Sequence, residues 1–188
     1  VPTVRKGWWN YGGITRPVSL VEVPDTYIDD ESLQLQRGST DQLAGAVHVT
    51  GAADGTRVTL RIPELHIEQV AATDTNGRAT FSFAAPGLER WSPEHPRLYS
   101  VEFEAGPDHL TDSIGFRTVE VRGDQILLNG KPIFLRGVSY HDEAPYRSGR
   151  AWSQQDAQTL LGWAKELHCN FVRMAHYPHT ENEYRLAD

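Results

Sequence analysis

The chain has 188 residues, of which 39% are hydrophobic, and a formal net charge of −7. This apolar content suffices for a buried core, whereas the negative charge argues against nucleic acid, whose binding proteins carry clustered Lys and Arg. No apolar run approaches the roughly 20 residues of a membrane span, and the first residues lack the apolar segment of a signal peptide, so we predict no membrane partner and leave the localisation open.

Residues 1–23 contain an aromatic cluster, a Gly-Gly break and then an alternation of apolar and polar residues that is typical of a strand. The segment is too short to fold alone, so we interpret it as the end of a preceding domain. Its aromatic residues, Trp8, Trp9 and Tyr11, either pack against that domain or stack on the faces of sugars, and the sequence leaves both alternatives open.

Residues 24–118 contain short segments with a period of two between turn signals, which is the pattern of an antiparallel β-sandwich. A span of about 95 residues fits a seven-stranded immunoglobulin-like domain, although the usual cysteine pair is absent. Each predicted strand has one apolar face for the core. The clearest alternating segments are 46–50, 57–62, 65–70, 79–84 and 98–104.

Residues 119–188 have a different character, because a hairpin is followed by strands that alternate with helices. The dipeptide Asn129-Gly130 between two apolar runs predicts the hairpin. Strands are predicted over 133–138 and 170–175, with a helix between them. This order needs a parallel sheet with helices outside it, so we expect the first units of a (β/α)8 barrel.

Both predicted helices begin at a capping signature, a Ser or Thr followed three residues later by an acidic residue. Ser153 and Asp156 begin the first helix, and Thr180 and Glu183 begin the second. The apolar residues of the first helix recur at helical spacing and predict one buried face. They are Ala157, Leu160, Leu161, Trp163, Ala164 and Leu167.

Polar side chains follow both predicted barrel strands. His141, Asp142 and Glu143 come after the first strand, and Arg173, His176 and Tyr177 end the second. Because the chemistry of such barrels lies at the C-terminal ends of the strands, we expect both groups on one rim. A guanidinium in a barrel mouth needs an anionic partner, which another strand would supply.

The segments R-G-V-S-Y-H-D-E (136–143) and N-F-V-R-M-A-H-Y-P (170–178) closely resemble the opening of the catalytic barrel in family 2 glycoside hydrolases, the β-galactosidase and β-glucuronidase family. The resemblance covers nearly the whole chain. It implies a mainly β fragment in which 1–23 is the last strand of a jelly-roll sugar-binding domain. Residues 24–118 are then an immunoglobulin-like sandwich, and 119–188 the truncated start of a TIM barrel.

The resemblance also implies the chemistry, which is hydrolysis of terminal β-glycosidic bonds with retention by a glutamate nucleophile and a glutamate acid/base. Both glutamates belong to later strands, so we expect no catalytic residue in the chain and no activity from the chain alone. Arg173 would orient the nucleophile, and His141 and His176 would contact sugar hydroxyls. We expect Asp142 and Glu143, which are adjacent on one loop, to give polar support to the pocket rather than to act as an acid/base pair, and Tyr177 to bind or support the substrate. We expect a β-linked sugar as substrate, of a type that the sequence leaves open, and no cofactor.

Other interpretations compete with this one. Arg173 and His176 could form a purely structural contact, although the flanking motif favours a site. A group of acidic and histidine residues near the rim could suggest a metal, but no H-E-x-x-H or Cys/His spacing supports it, so we predict none. The group consists of His141, Asp142, Glu143, His176 and His179. A non-catalytic carbohydrate-binding or spacer module would need an exposed aromatic platform, so the exposure of Trp91 and Tyr99 distinguishes it from the enzyme fragment.

The predicted barrel units carry apolar surface that six further units would normally cover. We therefore expect residues 125–188 to associate with a second copy of the chain or to fold back onto the sandwich, with association favoured because the sandwich has its own core.

Overall fold

The computed structural model describes residues 13–14, 16–147 and 149–188. Two compact units are present, one of residues 21–133 and one that joins 134–188 to residues 13–14 and 16–20. The aromatic cluster of Trp8, Trp9 and Tyr11 lies outside the described residues. Helix and strand are both absent from 13–14 and 16–23, and the assignment of 1–23 to a jelly-roll domain stays a prediction.

Seven strands form an antiparallel β-sandwich, which confirms the predicted architecture. One sheet has the order β1-β2-β5 and the other has the order β4-β3-β6-β7. A single turn of 3-10 helix, Pro63–Leu65, joins β3 to β4. The strands are β1 (Tyr27–Leu35), β2 (Gln42–Thr50), β3 (Arg57–Ile62), β4 (Ile67–Ala72), β5 (Arg78–Ala84), β6 (Tyr99–Ala105) and β7 (Asp108–Ile114).

The sandwich core comes from the alternation of apolar residues that the sequence displays. Along β5, for example, Ala79, Phe81 and Phe83 are buried and the residues between them are exposed. Leu60 and Phe103 are completely buried at facing positions of β3 and β6. Each such side chain stabilises the fold by roughly 1.5–3 kcal/mol relative to exposure, so packing holds the sandwich without a disulfide.

Residues 119–132 form a small three-stranded sheet of β8 (Val119–Arg122), β9 (Gln125–Leu128) and β10 (Lys131–Pro132). The predicted hairpin turn is confirmed, since Asn129 and Gly130 separate β9 from β10 with φ angles of +52° and +79°. Positive φ at both central residues is what a type I′ turn requires.

The second unit contains β11 (Gly137–Tyr140), α1 (Gln154–Glu166), β12 (Phe171–Met174) and α2 (Glu181–Ala187). Strands β11 and β12 pair in parallel, as the predicted start of a barrel requires. Neither helix has the length and apolar character of a membrane span, in the part of the chain that the structure describes.

The predicted strand over 133–138 is wrong at its beginning, because β11 starts at Gly137. Before Gly137 the backbone bonds to the side chain of Asn170 instead of to a neighbouring strand. Its amide donates to the carbonyl oxygen of Phe134 at 2.9 Å, and its oxygen accepts from the backbone N–H of Arg136 at 2.7 Å. These contacts satisfy the backbone without a ladder, so the segment stays irregular.

The first capping signature is confirmed and the second is wrong. The hydroxyl of Ser153 accepts a hydrogen bond from the backbone N–H of Asp156, and the carboxylate of Asp156 accepts one from the backbone N–H of Ser153. Thr180 also precedes a helix, but its side chain makes no capping bond, and Glu183 turns into the interior. On α1 the buried face is narrower than predicted: Ala157, Leu160 and Ala164 are buried, whereas Trp163 and Leu167 are exposed.

Candidate functional site

The parallel pairing of β11 and β12 brings their C-terminal ends side by side. Ser139 lies opposite Arg173, and Tyr140 lies opposite Met174. The ladder continues one step further, because the N–H of Ala175 donates to the carbonyl oxygen of Tyr140 at 3.0 Å. The residues that follow the two strands therefore leave the sheet at the same edge.

Three aromatic rings meet at this edge. The ring centroids of His141 and His176 are 5.2 Å apart, and those of His141 and Tyr177 are 6.2 Å apart, both in edge-to-face geometry. The ring of His176 is exposed, and the other two are half-buried. The structure thus brings together three residues that the sequence placed after two different strands.

Arg173 fixes the orientation of one of these rings. It donates to Nδ1 of His176 at 2.9 Å and to the hydroxyl of Ser139 at 3.3 Å. Because a guanidinium has no lone pair to offer, the imidazole must accept at Nδ1. Its Nε2 is then the atom that can donate an N–H to a ligand oxygen.

Asp142 has a different environment from its predicted neighbours, because it is completely buried. Its Oδ2 lies 2.5 Å from Arg16 and 3.4 Å from Arg150, so the carboxylate cannot touch a ligand on the rim. Arg150 also lies over the ring of Tyr177, with 4.7 Å between the guanidinium carbon and the ring centroid. A role for Asp142 as support of the pocket stays a prediction.

Sequence reasoning missed Arg16 and Arg150 as members of this site. Arg16 donates to Asp142 and, at 2.7 Å, to the carbonyl oxygen of Pro178, and so links the loops that follow β11 and β12. Arg16 is 126 residues from Asp142 in sequence, and no local spacing could have revealed the pair.

Glu183 was also missed, because the sequence assigned it to a helix cap, and His179 was considered only as one of several candidate metal ligands. Both side chains are buried, and Nδ1 of His179 lies 3.0 Å from Oε2 of Glu183. The hydroxyl of Tyr140 donates a hydrogen bond to Glu183. Burial, and then the charge of Glu183, raise the pKa of Tyr140 far above its usual value. Burial opposes protonation of His179, but the neighbouring Glu183 carboxylate and the Ala175 carbonyl oxygen outweigh burial and raise the pKa of the imidazole.

The sandwich provides no exposed platform at the two aromatic residues that would support a binding module. Tyr99 is 2% exposed, and its hydroxyl accepts from the backbone N–H of Glu89. Trp91 is half-buried, with the guanidinium of Arg117 at 4.6 Å from the ring centroid. Both residues therefore serve packing of the sandwich.

Comparison with protein families assigns two consecutive segments of the chain. The model described as "Glycosyl hydrolases family 2" matches residues 26–117, and that described as "Glycosyl hydrolases family 2, TIM barrel domain" matches residues 119–188. The chain belongs to glycosyl hydrolase family 2. The fold agrees, since a β-sandwich precedes the first strands and helices of a barrel.

Family 2 relatives extend well beyond this chain. The chain is 35% identical over 205 residues to a β-glucuronidase of Felis catus, and the match covers 100% of this chain and 30% of that protein. It is 31% identical over 181 residues to a β-galactosidase of Arthrobacter sp. (strain B7), covering 96% of this chain and 17% of that protein. The chain spans less than a third of the length of these relatives.

Solved family 2 structures have the same fold. A Bifidobacterium dentium β-glucuronidase in complex with coumarin-3-O-glucuronide superposes with a TM-score of 0.75 at 26% identity, over 87% of this chain and 29% of that one. A β-galacturonidase from Eisenbergiella tayi bound to galacturonate superposes with a TM-score of 0.75 at 26% identity. The match covers 88% of this chain and 31% of that one.

Proposed function

We propose that the chain forms part of the sugar-binding rim of a β-glycosidase that hydrolyses terminal β-glycosidic bonds. The observation that carries the proposal is the contact between His141 and His176 at the ends of two neighbouring parallel strands, with Arg173 bonded to His176. Barrel enzymes assemble their active sites at this end of the strands.

The proposed reaction follows the retaining mechanism, in which two carboxyl groups about 5 to 5.5 Å apart flank the scissile bond. We place the nucleophile and the acid/base on barrel strands that follow β12. Asp142 and Glu183 are fully buried, which supports the assignment of these roles to other carboxylates. The permanent charge of Arg173 would keep a neighbouring nucleophile ionised and oriented.

The two histidines would act on the sugar itself. Nε2 of His176 can donate to a hydroxyl, because Arg173 already occupies Nδ1. His141 lies ring-to-ring with His176 and would contact the next hydroxyl. Such hydrogen bonds accelerate the reaction where they strengthen as the sugar ring takes on oxocarbenium character. The named relatives favour a β-glucuronide or a β-galactoside as the substrate.

The test is an assay of the whole protein that carries this chain, with chromogenic β-glucuronide and β-galactoside substrates. We expect turnover of one of them, and a loss of orders of magnitude in kcat/KM in Arg173→Ala and in His176→Ala. His109→Ala replaces an exposed histidine of β7 and serves as the matched control, with unchanged turnover. Inactivity on both substrates, or near-normal rates in both site variants, would contradict the proposal.

We also propose that the isolated chain associates with a second copy through residues 125–188. Apolar side chains on this part support the proposal, since Phe134 is 80% exposed and Leu167 is 67% exposed. Light scattering should give a dimer or larger species for the chain and a monomer for a version that ends at Arg122. A monomeric chain at high concentration contradicts association.

A further inference from the structure

We propose that Asp142, His179 and Glu183 form a buried binding site for one divalent transition-metal ion, with Zn²⁺ as the best fit. A ligand atom of each residue lies within 4.8 Å of those of the other two. All three residues are at most 5% exposed. The site stands on this geometry alone, so it does not depend on the proposed glycosidase activity.

In both carboxylates one oxygen is bonded to a neighbour and the other is not. Oε1 of Glu183 accepts from the hydroxyl of Tyr140 at 3.2 Å. Oδ2 of Asp142 accepts from Arg16 and Arg150. Oε2 of Glu183 and Oδ1 of Asp142 are buried without a hydrogen-bond partner in 13–14, 16–147 and 149–188. An orphaned buried acceptor destabilises a fold, so a bound cation would relieve both oxygens.

The imidazole of His179 follows the same pattern. Its Nε2 lies 3.2 Å from the carbonyl oxygen of Ala175, to which it can donate. In the neutral ring this bond leaves a lone pair on Nδ1, which is the arrangement that orients metal-binding histidines. Nδ1 is buried and makes no hydrogen bond of acceptable geometry, although Oε2 of Glu183 is only 3.0 Å away.

This short distance between two poorly aligned atoms fits two ligands of one ion. Zn²⁺ binds imidazole nitrogen and carboxylate oxygen at about 2.0–2.2 Å, which places neighbouring ligands roughly 3 Å apart. One imidazole with two carboxylates suits Zn²⁺ or Mn²⁺, whereas Mg²⁺ and Ca²⁺ prefer oxygen ligands alone. The two carboxylates balance the charge of the ion, and Arg16 and Arg150 keep 31% and 18% of their side-chain surface exposed to screening solvent.

The experiment measures Zn²⁺ binding to the chain by equilibrium dialysis and calorimetry, after refolding with the ion because the site is buried. Other potential ligands are first removed with His48→Gln, His95→Gln and Cys169→Ser, which eliminate two exposed histidine–carboxylate pairs and the thiol. This background variant should bind one Zn²⁺ per chain, and excess Mg²⁺ should not displace it.

Asp142→Asn and Glu183→Gln in that background should each weaken Zn²⁺ binding by at least about 10-fold. Glu181→Gln is the matched control, because Glu181 lies on the same helix with its side chain exposed, and it should bind normally. No stoichiometric Zn²⁺, or equal affinity in all three variants, overturns the proposal.

A second measurement covers variants that fail to fold. Nitrogen NMR of the wild-type ring should show the Nδ1 resonance of His179 shift on Zn²⁺ addition, with Nε2 still protonated. An unchanged Nδ1 resonance means that a water or a proton fills the space, and this also overturns the proposal.

Discussion

Arg173 donates to Nδ1 of His176 over 2.9 Å, and this bond joins strand β12 to the loop that follows it. The arginine thereby determines which nitrogen of the histidine is available to a ligand. Ser139, on the neighbouring strand β11, holds the other branch of the guanidinium. Two strands and one loop are thus connected through a single cation at the rim.

Removing the guanidinium should change both the tautomer and the rate. In Arg173→Ala we expect nitrogen NMR of the chain to show a mixture of His176 tautomers in place of Nε2–H alone, because the donor at Nδ1 is lost. In the whole protein kcat/KM should fall roughly 100-fold or more, since the charge acts near the reacting centre. Met174→Ala, one residue away and half-buried, should mainly lower stability. Full activity in Arg173→Ala would exclude the proposed role.

The chain by itself should not hydrolyse β-glycosides. Its buried carboxylates near the rim, Asp142 and Glu183, cannot flank a sugar, and we assign the catalytic pair to later strands. Purified chain assayed with chromogenic β-glucuronide and β-galactoside should match buffer. Turnover that persists through purification and disappears in Glu143→Gln would show that the chain carries its own acid/base.

The sequence predicted the elements whose signal is local. The Asn129-Gly130 turn and the Ser153 cap depend on residues within a few positions of each other, and both are confirmed. Seven strands were expected in the sandwich, but the positions of β1 and β7 were not predicted. β1 carries the acidic run Asp29 to Glu31, which breaks the alternation, and β7 is a largely polar strand that pairs with β6 at the end of its sheet. Pairing with a neighbour forms these strands, rather than their own propensity.

The same division applies to the candidate site. The motif placed His141, Arg173, His176 and Tyr177 after two strands, and the structure brings them to one edge of the sheet. The sequence did not indicate that Arg16 contacts Asp142, because the two residues are far apart along the chain. It did not indicate the burial of Glu183 either, because Glu183 has the spacing of a helix cap with Thr180. Burial of a charged residue depends on tertiary packing, which a single sequence does not display.

The sandwich should depend strongly on the packing of its inner faces. Leu60→Ala removes a completely buried side chain of β3, and we expect the free energy of unfolding to fall by roughly 2–5 kcal/mol, from lost transfer energy and the cavity left behind. Leu110→Ala makes the same change at a position of β7 that is 37% exposed and should cost much less. Urea unfolding followed by circular dichroism measures both. Equal losses would mean that Leu60 is not in a close-packed core.

The stability of the sandwich should depend on pH through His48 and Asp29. Nδ1 of His48 lies 2.5 Å from the Asp29 carboxylate, and Nε2 lies 2.9 Å from the carbonyl oxygen of Asn76, so both nitrogens face acceptors. The hydrogen bond to Asp29 raises the pKa of His48, and the bond to His48 lowers the pKa of Asp29.

A raised histidine pKa stabilises the fold fully below the unfolded value of about 6.5, and this contribution is lost as the pH rises through the folded pKa. A lowered aspartate pKa stabilises above its unfolded value and is lost as the pH falls through the folded pKa. The pair should therefore stabilise the fold most between about pH 4 and 6.5.

We expect the difference in free energy of unfolding between wild type and His48→Gln to be largest in this range and to be smaller at pH 9. The whole difference should be small, because both groups are partly exposed. His109→Gln replaces a histidine of β7 and should give a difference that does not follow this profile. A constant difference between wild type and His48→Gln from pH 5 to 9 would show that the pair does not couple protonation to folding.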